Sequence, residues 1–146
     1  MLASRLAVFS LAWTALLATG CRRSIVGHYE YDREETKKAV ELSVAEHPEQ
    51  AQNKSGVLQM LSAMEIDLAL EEGGQTTVNM RASRPPAAPI EQKRTGTWVL
   101  TDKKLAITIP VESRPNVTTC DVDGTRLRCH DPQLSDLMSR YVLVRK

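Results

Sequence analysis

Aromatic side chains are scarce in this chain, 4% of its 146 residues, and its single phenylalanine, Phe9, lies near the N-terminus. Recognition of bases or sugars by stacking needs several aromatic faces, so that mode of binding is not expected. An excess of one charge sign is missing as well: Lys and Arg number 19 against 18 Asp and Glu. Without a basic balance, nucleic acid is not an expected partner. No G-x-S-x-G elbow, H-E-x-x-H pair, P-loop or G-x-G-x-x-G occurs, which removes the chemistries that carry a local signature. There is no C-x-x-C pair and no second histidine at ligand spacing, and no cofactor is expected. No uncharged run reaches the ~20 residues that cross a bilayer as a helix.

What is present begins with Arg5 followed by an uncharged run from Leu6 to Thr19 and then Gly20-Cys21. A short basic region and an apolar stretch of this length make a secretory signal. The stretch Leu16-Leu17-Ala18-Thr19-Gly20-Cys21 resembles the bacterial lipoprotein signal, with Ala18 where leucine is usual. The resemblance implies that residues 1–20 are removed, that Cys21 is acylated, and that the bilayer is a partner through it. The competing reading is an ordinary secretory signal with a core cysteine at 21. Arg5 leaves with the signal, so the remaining chain is formally neutral and long enough for one domain with a real core. Residues 21–26 form a short tether, in which Arg22 and Arg23 would meet lipid headgroups or stay solvated. Arginine after the cysteine is similar to the pattern that sends lipoproteins to the outer membrane, which implies its periplasmic face.

An exported chain meets an oxidising compartment, where cysteines pair by default. Cys120 and Cys129 are the two left to do so. A metal site from Cys120, Cys129, His130 and Asp131 is the lesser alternative. Their pairing depends on hairpin register. A type I′ turn centred on Asp123-Gly124 sets Cys120 opposite Leu127, whereas a II′ turn centred on Gly124-Thr125 sets Cys120 opposite Cys129. The second register and a disulfide are expected, with a bulge able to rescue the first.

The periodicity of the rest is mostly two. Residues 25–31 alternate as a half-buried strand. Asp32 with Glu35 then forms a capping box for a helix that runs to His47-Pro48, with a Glu34–Lys38 pair along it. A second helix, starting at Glu49 or Ser55 and ending at Ala63, carries Val57, Leu58, Leu61 and Met64 at three- and four-residue intervals. From Met64 onward the pattern is strand after strand: 64–71, a Gly73-Gly74 turn, 76–82, a proline-bearing loop over 82–93, 96–100, 105–109 ended by Pro110, 117–122, 125–130 and 138–145.

Eight strands with a helical pair (33–63) between the first and second make a mainly β domain, residues 27–146. An antiparallel meander of that number closes most easily as an up-and-down barrel, which leaves no exposed edge. Gly27-His28-Tyr29 resembles the Gly-x-Trp that opens lipocalin and calycin barrels, with tyrosine substituted. That resemblance implies an arginine from the last strand, Arg140 or Arg145, lying across Tyr29 at the closure. The helical pair is similar to the lid of intracellular fatty-acid-binding proteins and is expected across one open end. A second Gly-x-Trp, Gly96-Thr97-Trp98, departs from the lipocalin pattern.

His28, His47 and His130 have no partner assigned by the sequence, so a catalytic centre is the least favoured function. Two binding readings stand. Either the barrel encloses a small apolar or amphipathic ligand, touching Leu58, Leu61, Met64 and Trp98, or a filled barrel docks on an envelope protein. An eight-stranded barrel has room for either one small ligand or its own side chains. The interior volume separates the two.

Overall fold

The computed structural model describes residues 25–83, 85–112, 114–134 and 137–146. The proposed signal, Cys21, Arg22 and Arg23 lie outside the described residues. The elements run in the order β1 (Gly27–Tyr31), α1 (Arg33–Glu46), a 3-10 turn (Pro48–Asn53), α2 (Lys54–Ser62), β2 (Met64–Leu70), β3 (Gln75–Ala82), β4 (Ile90–Thr101), β5 (Lys104–Val111), β6 (Arg114–Asp123), β7 (Arg126–His130) and β8 (Arg140–Arg145). Each strand pairs antiparallel with the next, and β1 pairs with β8 through Tyr29↔Arg145 and Tyr31↔Leu143. The result is a closed eight-stranded up-and-down barrel with two helices inserted between β1 and β2.

Alternation sets the core. Ile66, Leu68 and Leu70 of β2, Trp98 of β4, Leu105, Ile107 and Ile109 of β5, Leu127 of β7 and Leu143 of β8 point inward and are buried together with Tyr29. Ile25, just before β1, joins them, and its carbonyl accepts the Tyr29 hydroxyl at 2.7 Å.

Two strands run longer than periodicity predicts. β4 starts at Ile90, not Gly96, because β3 holds it in register from Gln75↔Thr97 to Ala82↔Ile90; the prolines at 85, 86 and 89 all fall before it. Pro110 does not end β5 either. It faces Pro115 one pair before the Val111↔Arg114 closure. In a two-residue hairpin that position is a non-hydrogen-bonded pair, so neither ring removes a bond between these two strands. The other side of β5 has parted from β4 by then, since their pairing stops at Thr97↔Thr108.

Asp32 caps α1 by accepting the Glu35 amide at 3.0 Å. The return half of the capping box is not made: the Asp32 amide is taken by the Val142 carbonyl, and the Glu35 carboxylate takes the Lys38 ammonium at 2.8 Å. That bond also replaces the expected Glu34–Lys38 pair and holds the Glu35 carboxyl below its usual range. α1 does not lie across an open end. It packs along β8, burying Thr36, Val40 and Ser43. Thr36 Oγ1 accepts the Val142 amide at 2.9 Å, and the Asp32 amide donates to the Val142 carbonyl at 2.9 Å. Beyond Tyr31 the strand β1 has turned into helix, so the edge of β8 there would otherwise be bare. α2 packs on α1 and buries Leu61.

Candidate functional site

β6 and β7 meet in the hairpin that holds the disulfide. Asp123↔Arg126 closes a turn of Gly124 and Thr125, with φ of +59° at Gly124, a conformation glycine adopts without steric cost and the one a II′ turn needs first. Cys120 therefore stands directly opposite Cys129, with Cα atoms 4.0 Å apart and the sulfurs bonded. Both are buried. Their union removes the thiolates that a metal site with His130 and Asp131 would need.

Beyond this hairpin, toward the β7–β8 loop, lies a polar cluster of the interior surface. Asp131 is 9% exposed. Its Oδ2 accepts from Asn116 Nδ2 at 3.0 Å and from the Thr118 hydroxyl at 3.4 Å, and its Oδ1 accepts the Gln133 amide at 2.9 Å. The last bond shapes the loop as an Asx turn; the first two tie the loop to β6. Asn116 Oδ1 is buried without a hydrogen-bond partner among the described residues. Tyr141 stands beside this group with its hydroxyl pushed up to about 12. Burial is the main cause, the Asp131 charge adds to it, and a hydrogen bond with Thr118 opposes it.

These side chains line a cavity of about 70 Å³ together with Arg94 and an apolar wall of Ile66, Leu68, Val78, Met80, Ile107, Ile109 and Leu143. The cavity sits beside the place where β4 and β5 part. There Gly96 permits a close approach: a Cβ on it would meet the Thr108 carbonyl oxygen and collide with backbone. This gives the second Gly-x-Trp a structural role that no lipocalin resemblance supplied.

Of the four residues proposed for ligand contact, Leu58 and Leu61 are brought together and Met64 and Trp98 stand apart from them. Leu61 is a buried residue of α2, and it lines an exterior groove with Leu58, Tyr31, Arg33 and Lys37. Met64 packs at the start of β2, and Trp98 is buried at the other end of the barrel, where its Nε1 donates to the Glu71 carbonyl at 3.1 Å. None of the four lines the interior cavity. Of the closure residues, Arg145 takes the position over β1. Its guanidinium lies on Gly27 and donates to the Val26 carbonyl at 2.8 Å, and its charge opposes the upward shift that burial gives Tyr29. Arg140 is at the far end of β8, 3.8 Å from the Glu46 carboxylate. Sequence reasoning missed Asn116, Thr118 and Tyr141; only their inward parity marked them.

Among solved structures the fluorescent protein UnaG is similar to this chain: the wild type superposes with a TM-score of 0.41 at 14% identity, covering 85% of this chain and 98% of that one. A point mutant of UnaG gives 0.41 at 13% identity, covering 85% and 97%. No known protein family and no curated protein sequence matches the chain.

Proposed function

We propose that this chain is a lipid-anchored, non-catalytic barrel of the bacterial envelope, on the periplasmic face of the outer membrane, that works by docking a partner on its exterior. The supporting observation is the interior volume. Ligand sites for drug-sized molecules run to roughly 300–1,000 Å³, against about 70 Å³ here. An acyl chain has no room in such a barrel. The larger concavities are outside it: about 530 Å³ between α2 and Leu137-Met138, and about 590 Å³ between α1 and the outer faces of β6–β8.

A second reading, a small amphipathic molecule held inside, is favoured by Asp131 and the unpaired Asn116 Oδ1 on the cavity wall, because a buried acceptor without a donor is costly. Native mass spectrometry of the soluble domain, with Cys21 removed and purified from a bacterial envelope, separates the two. The docking reading expects the mass of the oxidised polypeptide alone. A small molecule that travels with the protein, and is lost in Asp131→Asn, overturns it in favour of the second.

A further inference from the structure

We infer that the barrel end carrying the β2–β3, β4–β5 and β6–β7 turns faces the anchoring lipid surface, so that the far loops and the cavity point away from it. This rests on the lipid-anchor reading above. The strands are antiparallel, so each end of the barrel has its own set of connections. The start of β1 lies at one end, beside the turns at Glu71–Gly74, Asp102-Lys103 and Gly124-Thr125, and beside the C-terminal Lys146, whose amide donates to the His28 carbonyl. The connections from β1 into α1 and from α2 into β2, residues 85–89, the β5–β6 turn and the Asp131 loop lie at the other, while α1 itself packs back along the outside of β8.

Ile25 fixes where the tether leaves. It is 3% exposed, in the barrel core, held through its carbonyl by Tyr29, while Arg145 clamps the carbonyl of Val26. The path to the acylated residue therefore begins at the turn end. Four residue steps separate Ile25 from Cys21, a reach of about 13 Å at ~3.3 Å per residue. β4 has 12 residues, which at ~3.4 Å each and a tilt of ~40° put the far loop about 30 Å further along the axis. A tether that short cannot turn the barrel over to bring the far loops to its own bilayer.

Trp98 is a native probe of this geometry. It is the one tryptophan downstream of residue 20, and its amide donates to the Gly74 carbonyl at 2.8 Å, at the turn end. Lipidated full-length protein, extracted from membranes of a Gram-negative host, is reconstituted into phosphatidylethanolamine–phosphatidylglycerol vesicles with a dansyl headgroup lipid. Energy transfer from Trp98 is read by fluorescence. A second protein keeps Trp98 and adds Ala87→Trp on the exposed far loop, which leaves the core untouched. The expected result is strong transfer from Trp98 and several-fold weaker transfer from the added tryptophan. Equal or stronger transfer from the added residue, in protein that floats with the vesicles, overturns the orientation alone. Failure of the natural chain to float overturns the anchor, and the orientation with it.

Discussion

Tyr29, Tyr31 and Tyr141 are the three tyrosines of the chain, and burial raises the hydroxyl of each above its ordinary range. The sign of the consequence follows from the direction. Below pH 10 Tyr141 is neutral folded or unfolded, so its contribution is whole; between 10 and about 12 the unfolded chain ionises it and the folded chain does not. Stability should therefore fall through that window, by about 1.4 kcal/mol per pH unit for this residue. Urea midpoints taken across the window, set beside those of Tyr141→Phe, check it; equal slopes in the two proteins would refute the assignment. Burial of Tyr141 was legible as parity along β8. Its neighbours were not, because Asn116 and Asp131 are 15 residues apart and their bond depends on how the β7–β8 loop folds back.

At the scale of elements, the sequence supplied the capping aspartate, the hairpin turns and the parity of the cysteines, since each rests on residues within one turn of chain. The β6–β7 register was legible because only a turn centred on Gly124-Thr125 opposes Cys120 to Cys129. The disulfide closes a loop of 9 residues, for which restriction of the unfolded chain is worth about 2–3 kcal/mol. Reduction, or the double change Cys120→Ser with Cys129→Ser, should lower stability by that amount, measured as the shift in denaturant midpoint at constant slope. What the sequence hid was the seat of α1. Its apolar content is low, and the contact that fixes it is Thr36 Oγ1 on the Val142 amide, a bond across 106 positions of chain that no local pattern encodes. Thr36→Val keeps the shape and strands that buried amide, so a loss of about 1–3 kcal/mol is expected. Amide exchange at Val142 reads it directly: the valine variant should exchange faster there, while β5 and β6 stay protected.

The whole molecule was legible in its count of strands and in its closure, because an even meander of eight leaves bare edges unless the first and last strands meet. Volume was not legible. The same inward leucines, isoleucines, valines and methionines serve a hollow barrel or a filled one, and the outcome depends on how far Trp98, Tyr29 and Ile25 fill the turn end. The proposed localisation likewise rests on residues outside the described ones. On the proposed anchor, Arg22 and Arg23 would be the tether's basic residues, and near an anionic surface each would contribute about 1 kcal/mol, which salt screens. Acyl chains contribute about 0.8 kcal/mol for every methylene buried, an order of magnitude more in sum. Cys21→Ser should therefore move the protein from the membrane pellet to the soluble periplasmic fraction, and a high-salt wash should leave the natural chain in the pellet. The barrel itself contains its own closure and disulfide, so the released variant should keep the unfolding midpoint of the anchored one. A Cys21→Ser protein that stays membrane-bound after the wash would mean that the attachment runs through the barrel surface and not through the lipid.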